Sequence, residues 1–110
     1  MNVVKTGFDD LLIIEPKVPG DERGYFMESY NYRAFYERGI TAQFVQDNQS
    51  RSKQGVLRGL HYQNAPYAQS KLIRVLAGSI MDFVLDLRKD KSTFGKFFLL
   101  ELTAENKKQL

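Results

Sequence analysis

The sequence contains no cysteine, no tryptophan and only one histidine, His61. The absence of cysteine excludes disulfides, thiolate nucleophiles and every cysteine-containing zinc or iron–sulfur site, and it favours the cytoplasm. Zinc, iron and copper sites that lack thiolates usually take two or more imidazoles. A single histidine therefore argues against a metal centre.

Long hydrophobic runs are also missing. No stretch reaches the roughly 20 apolar residues that a membrane helix needs. The first ten residues, Met1–Asp10, lack the apolar run of a signal peptide. We therefore expect a soluble, cytoplasmic protein that does not bind a membrane.

The excess of positive over negative charge is small. Lys and Arg number 16 against 13 Asp and Glu, which gives a formal net charge of only +3. Such an excess attracts an anion but is weak as a footprint for a nucleic-acid backbone. The densest charged stretch, Arg88–Lys91, is interrupted by an acid and is typical of a solvated turn. We expect no nucleic-acid partner.

The apolar content is sufficient for one core. The 110 residues are 43% hydrophobic and 26% charged, which is typical of one globular domain and too apolar for disorder. A chain of this size buries roughly two-thirds of its unfolded surface, a thin margin that is compatible with an obligate partner chain. The sequence thus predicts a single domain over residues 1–110.

β-Branched and aromatic residues recur in short runs broken by Gly, Pro, Asn and Asp, which predicts an all-β sandwich or jelly roll. One short helix is expected at Tyr32–Arg38, ended by Gly39. A tight hairpin is expected at Ala77–Ser79. The predicted strands are Leu11–Glu15, Gly24–Tyr30, Gln43–Arg51, Val56–Gln63, Lys71–Leu76, Ser79–Leu87 and Lys96–Leu102.

His61 is the candidate general base, because imidazole is the one side chain that ordinarily gains and loses a proton near neutral pH. Strand alternation places it on one face with Gly59 and Gln63, and opposite Arg58. A face this polar suits a ligand cavity. By base rates alone, a lone strand histidine is more often a hydrogen-bonded core or surface residue.

Two further polar features fit ligand binding. Gln46 and Asn48 share one face of their predicted strand, where amides can read a ligand, although a polar edge strand explains them equally well. Lys71 begins an otherwise apolar row and suits the anchoring of an anion. The alternative for Lys71 is a side chain that extends into solvent at a strand end.

Phe26 and Glu28 share a face, so they form an aromatic platform beside a hydrogen-bond acceptor, which suits a nucleobase. Core packing of Phe26 is the alternative. Asp82 and Asp86 also share a face, and either could orient an imidazole. Solvated acids on a sheet face are the alternative for that pair.

Several blocks, taken in order, resemble the dTDP-4-dehydrorhamnose 3,5-epimerase family, and the resemblance spans almost the whole chain. It implies a cupin-type jelly roll, a homodimer with strands paired across subunits, and no metal or organic cofactor. The blocks are Gly20–Ser29, Phe44–Asn48, Gly55–Gln63 and Gln69–Leu72.

The resemblance also implies an activity: epimerisation of dTDP-4-dehydro-6-deoxyglucose at C3 and C5 to dTDP-4-dehydro-rhamnose, in dTDP-rhamnose biosynthesis. By it, His61 corresponds to the general base and Lys71 to a residue beside the sugar ketone. Arg23, Arg58 and Lys71 would suit the pyrophosphate. The substrate-contacting positions implied are Arg23, Phe26, Glu28, Gln46, Asp47, Asn48 and Arg58.

Three departures qualify the resemblance. Arg58 lies opposite His61 unless Gly59 carries a β-bulge, which we therefore predict. Gln49 stands where many family members carry histidine. The family continues well past position 110 and takes its general-acid tyrosine, a second substrate-binding histidine and the acid behind the catalytic histidine from there. A non-catalytic sugar-nucleotide binding module is thus the alternative, and a metal-dependent cupin oxygenase rests on fold analogy alone.

Overall fold

The computed structural model describes all 110 residues. It contains six β-strands and one short helix, which confirms the all-β prediction. The strands pair as three antiparallel two-stranded sheets, β1–β2, β3–β4 and β5–β6. The elements are β1 (Asn2–Lys5), β2 (Leu12–Glu15), β3 (Gly20–Asp21), β4 (Gly24–Tyr25), α1 (Tyr32–Tyr36), β5 (Ser79–Leu85) and β6 (Phe97–Thr103).

The chain divides into two compact units. Unit 1 comprises Met1–Asn31 and Leu72–Leu110, and unit 2 comprises Tyr32–Lys71. All six strands belong to unit 1, and α1 belongs to unit 2. No helix has the length and apolar character required to cross a bilayer.

In unit 1, the pairing of β1 with β2 is extended by the last residues of the chain. Val3 lies opposite Ile14, whose side chain is buried. The Gln109 backbone exchanges two hydrogen bonds with Ile14, at 2.8 and 2.9 Å, and also bridges Arg74. Leu110 and Ile73 exchange two more, at 2.9 and 3.0 Å. The last two residues are thereby joined through backbone groups to β2 and to residues 73 and 74, and β1 is joined through its pairing with β2.

Strands β5 and β6 pair along seven residues each, from Ser79 opposite Thr103 to Leu85 opposite Phe97. Because side chains alternate between faces, one face carries Leu102, which is fully buried. The other face carries exposed apolar side chains, and the Phe83 and Phe97 rings stack on it with centroids 5.0 Å apart. This sheet is therefore apolar on both faces and is covered by the chain on one.

Several predicted elements differ from the observed ones. The segments Gln43–Arg51 and Val56–Gln63 form no strand, and Lys71–Leu76 forms only the bridge at Arg74. A strand needs a hydrogen-bonded neighbour. Between residues 41 and 70, the backbone-to-backbone bonds join Val56 N to Lys53 O at 3.3 Å and Tyr67 N to Asn64 O at 2.8 Å, and both only close turns.

The remaining differences concern connections. The predicted strand Gly24–Tyr30 shortens to Gly24–Tyr25, and β1 and β3 were not expected from the sequence. Gly78 turns with a φ of 73°, yet the hairpin predicted there is wrong, because β5 pairs with β6 instead. The helix predicted at Tyr32–Arg38 is confirmed over Tyr32–Tyr36.

Candidate functional site

The residues that the sequence singled out fall in both units. Arg23, Phe26 and Glu28 belong to unit 1, on and just after the β3–β4 hairpin. The other candidates belong to unit 2. These are Gln46, Asp47, Asn48, Arg58, His61 and Lys71.

The β3–β4 hairpin is built around two glycines. A Cβ at Gly20 would lie 2.8 Å from the Gly24 carbonyl oxygen, so a larger residue would displace the backbone. Gly24 has a φ of 129°, in the region that favours glycine. These positions allow the tight turn that presents Arg23 to solvent.

Asp21 holds the Arg23 side chain across this turn. Its carboxylate accepts the Arg23 backbone N–H at 2.9 Å, the Nε–H at 3.1 Å and an Nη2–H at 2.5 Å. The Arg23 hydrogen bonds lower the pKa of Asp21, and the pKa of Arg23 is raised in turn. The Nη1 end of the guanidinium has no part in these bonds and can donate to an anion. Sequence reasoning missed Asp21, although the Asp-x-Arg spacing in a turn was visible.

Phe26 and Glu28 follow the hairpin. The Phe26 backbone N–H donates to Pro19 O at 2.9 Å, but its ring is 75% exposed. Glu28 is exposed as well. Core packing of Phe26, the alternative reading from the sequence, does not occur within this chain. The hairpin and Phe26 line a cleft that includes Tyr25 and Arg23.

In unit 2, the two amides predicted to share a face do come together. Gln46 Nε2 donates to Asn48 Oδ1 at 3.3 Å, while Asp47 between them is exposed. Their spacing of two residues matches an extended backbone, even though no strand forms. The pair presents amide donors and acceptors to solvent.

His61 and Lys71 are both exposed, and neither forms a hydrogen bond or ion pair within the chain. Arg58 is held by a hydrogen bond from its Nε to Ser52 Oγ at 2.9 Å. Gly59 has a φ of 131°, and a Cβ there would lie 3.6 Å from the imidazole Cδ2 of His61. The predicted bulge at Gly59 is absent because no strand forms there, but glycine is the residue that this backbone conformation favours.

The two strand-face carboxylates differ sharply. Asp82 is half-buried opposite Leu100, and burial raises the pKa of this carboxyl, whose Oδ2 has no hydrogen-bond partner. Asp86 lies just after β5 and is buried. Its two oxygens accept from Arg88 Nε and Nη2, both at 2.8 Å, and from Thr93 Oγ1 at 2.6 Å. Asp86 is thus engaged in holding a turn and is not a solvated acid.

That turn contains the charged stretch Arg88–Lys91. Two of its charges are paired: the Lys91 ammonium lies 3.0 Å from Asp9 Oδ2, and Arg88 lies 3.7 Å from Asp10. The hydrogen bonds from Arg88 and Thr93 hold the pKa of Asp86 well below its usual range. No group of three or more His, Cys, Asp or Glu side chains is arranged to hold a metal ion.

Solved structures share this fold. The crystal structure of dTDP-4-dehydrorhamnose 3,5-epimerase from Bacillus anthracis, with TDP and PPi bound, superposes with a TM-score of 0.94 and 46% identity, covering 98% of this chain and 62% of that one. The epimerase RmlC from Legionella pneumophila, in complex with dTDP-4-keto-L-rhamnose, gives 0.91 and 51%, with coverage of 98% and 57%. The fold is therefore that of the cupin-type jelly rolls.

Sequence comparison narrows this class to one family. The family model for dTDP-4-dehydrorhamnose 3,5-epimerase matches residues 5–110, and the chain belongs to that family. It is 58% identical to the enzyme of that name from Shigella flexneri and 53% identical to the one from Salmonella typhimurium. All of this chain aligns in both cases, and it spans 61% of the length of each relative.

The cluster formed by Asp86, Arg88 and Thr93 should make the protein less stable as the pH falls into the acid range. A carboxyl whose pKa is lower in the folded state contributes stability above its unfolded value of about 3.9, and the contribution is lost as pH falls below that value. We expect Asp86→Asn in the intact protein to lower the midpoint of urea unfolding at pH 7. It should also reduce the loss of stability between about pH 4 and 2.

Asp82→Asn is the matched control, because burial raises the pKa of Asp82 and so penalises its charged form. At pH 7 this substitution should leave the unfolding midpoint unchanged or raise it. If Asp86→Asn unfolds at the wild-type urea concentration across the whole pH range, the cluster does not stabilise the turn.

Proposed function

We propose that the protein is an isomerase that epimerises dTDP-4-dehydro-6-deoxyglucose at C3 and C5, giving dTDP-4-dehydro-rhamnose for dTDP-rhamnose biosynthesis. The observation that carries this proposal is the family match over residues 5–110. The proposed base, His61, and the proposed cation, Lys71, stand within the matched range. The ligands bound to the relatives from Bacillus anthracis and Legionella pneumophila support the same substrate class.

His61 is assigned the proton abstraction. A ketone at C4 makes the hydrogens on C3 and C5 acidic, because the resulting carbanion is delocalised onto the carbonyl oxygen as an enolate. The imidazole takes the proton from carbon, and reprotonation from the opposite face inverts that centre. The same base serves C3 and C5 in turn. Its exposure in this chain leaves both ring nitrogens accessible to a ligand.

Lys71 is assigned the stabilisation of the enolate. An ammonium beside the developing oxyanion lowers the barrier most where water is excluded, and loss of one such donor typically costs roughly a hundred- to a thousandfold in rate. Lys71 has no ion-pair partner within the chain, so its charge is not neutralised there. The general acid would come, as the family resemblance implies, from sequence that follows position 110 in the family.

Nucleotide recognition is assigned to exposed residues. Phe26 offers a ring face for thymine and Glu28 an acceptor, while Arg23 and Arg58 offer guanidinium donors to the pyrophosphate. The hydrogen bonds that these two guanidinium groups donate to Asp21 and Ser52 orient them. Gln46, Asp47 and Asn48 complete the set of proposed substrate contacts.

A second copy of this chain is the proposed partner, with strands paired across subunits, and neither nucleic acid nor membrane takes part. Residues 41–70 of unit 2 support this, since Val45 is 86% exposed and Leu57 is 92% exposed on a backbone with few internal hydrogen bonds. An unpaired backbone with exposed apolar side chains is suited to adding a strand to another sheet. We also propose that residues 1–110 belong to one jelly-roll domain and that the enzyme acts in the cytoplasm without a cofactor.

Loss of the base should separate chemistry from binding. We expect His61→Ala in the intact protein to abolish deuterium incorporation at C3 and C5 of dTDP-4-dehydro-6-deoxyglucose in D₂O, measured by NMR. Affinity for dTDP should stay within about twofold of wild type, since a base acts in the transition state and adds little to ground-state binding. Wild-type exchange by His61→Ala would contradict the assignment of His61.

Lys71→Ala provides the contrast, because it should lower both exchange and nucleotide affinity. If the wild-type protein binds dTDP but exchanges no proton at either carbon, the non-catalytic binding module replaces the enzyme. If it binds no dTDP, both readings fail.

The proposed pairing between copies can be tested by placing a charge in it. We expect the intact wild-type protein to sediment as a dimer at micromolar concentration, and Leu57→Asp to weaken dimerisation at least about tenfold, because a buried unpaired carboxylate is costly. Lys53→Asp, in a turn of the same segment, is the control and should remain dimeric. A monomeric wild type, or an equally tight Leu57→Asp dimer, would refute this pairing.

A further inference from the structure

Gln109 is a fully buried polar residue that none of the proposed catalytic steps uses. Its backbone is fixed between Ile14 and Arg74. Its side-chain Nε2 donates to the Ser29 carbonyl oxygen at 2.9 Å, across 80 residues of sequence. Ser29 directly follows Glu28, so this bond fixes one end of the segment Phe26–Glu28.

A second contact holds the other end of that segment. The Lys107 ammonium lies 4.3 Å from the centroid of the Tyr25 ring, within the range of a cation–π interaction. Tyr25 directly precedes Phe26. Lys107 and Gln109 therefore contact the residues on either side of Phe26–Glu28, whose Phe26 and Glu28 side chains are exposed and are not fixed by packing.

Stability alone does not explain the buried amide of Gln109. Its Oε1 is buried without a hydrogen-bond partner, and an unsatisfied buried polar atom costs free energy that an apolar side chain of the same length would avoid. The amide contributes the one thing an apolar side chain cannot, which is the hydrogen bond to Ser29. The Gln109 amide therefore points to a role in placing the segment Phe26–Glu28.

We propose that Gln109 is a positioning residue for nucleotide recognition, and that Lys107 supports it. Together they hold Phe26 and Glu28 in the arrangement that receives the base of a thymidine nucleotide. This inference rests on the proposed function, in which Phe26 and Glu28 meet thymine while arginine and lysine side chains meet the pyrophosphate. It assigns the residue pair a role in specificity for the nucleoside and none in proton transfer.

Gln109→Met in the intact protein tests this directly, since methionine is similar in length and apolar but cannot donate to Ser29. We expect the Kd for dTDP to rise about threefold to tenfold, the worth of one hydrogen bond, measured by calorimetry. The Kd for inorganic pyrophosphate should stay within about twofold. In turnover, KM for the dTDP-sugar should rise while kcat is retained, because His61 and Lys71 are untouched.

Leu102→Ala is the matched control, because Leu102 is also fully buried in unit 1 but contacts no proposed ligand residue through a hydrogen bond. It should lower Tm while leaving the ratio of the dTDP and pyrophosphate Kd values unchanged. An unchanged ratio in Gln109→Met would overturn the inference while the epimerase proposal stood. Failure of the wild-type protein to bind dTDP would instead overturn the proposed function.

Lys107→Gln decides the matter if Gln109→Met does not fold. It removes the charge over Tyr25 and the Nζ hydrogen bond to the Ala104 carbonyl oxygen at 2.9 Å, both from a partly exposed position, so folding should be retained. We expect about a twofold to threefold rise in the dTDP Kd with pyrophosphate binding unchanged. An equal change in the Kd values for dTDP and pyrophosphate, or no change in either, would contradict the proposal.

Discussion

Backbone pairing through Gln109 and Leu110 is the constraint on which unit 1 depends. These two residues exchange hydrogen bonds with Ile14 on β2 and with Ile73. They thereby connect the N-terminal strand pair to the segment that leads into β5. Such pairing fixes register, because a shift by one residue would turn buried Ile14 outward. The Gln109 side chain also donates a hydrogen bond to the Ser29 carbonyl, so the position of Ser29 depends on the same backbone pairing.

Unit 2 shows what happens where no such neighbour exists. Between residues 41 and 70 it forms no strand and most residues are exposed, including the apolar Val45, Leu57 and Leu60. The sequence of these residues has the composition of strands, and that composition belongs to a surface that pairs and is covered. Within residues 1–110 these residues form no strand, so composition alone does not produce pairing.

Features that depend on neighbouring residues were predicted correctly from the sequence, whereas pairing between distant segments was not. The helix at Tyr32 and the strands β5 and β6 follow from residue type and spacing, and the structure confirms them. The stretch Arg88–Lys91 lies in a turn, as predicted, but Arg88 and Lys91 are ion-paired and not simply solvated. The hairpin predicted at Gly78 is wrong. The local sequence favours a turn there, but the strand that pairs with β5 is β6, which lies further along the chain. Gln109 was not expected at all, since a hydrogen bond across 80 residues leaves no trace in periodicity. The family was recognised because multi-residue blocks identify a sequence without any knowledge of pairing.

Stability and chemistry are assigned to different kinds of residue in this chain. Asp86 has both oxygens committed to Arg88 and Thr93, which makes it a strong structural acid and leaves it no lone pair in reach of a substrate. His61 and Lys71 have the opposite character, being exposed and without partners in the chain. Because neither side chain is committed to a partner within this chain, both are available to a ligand.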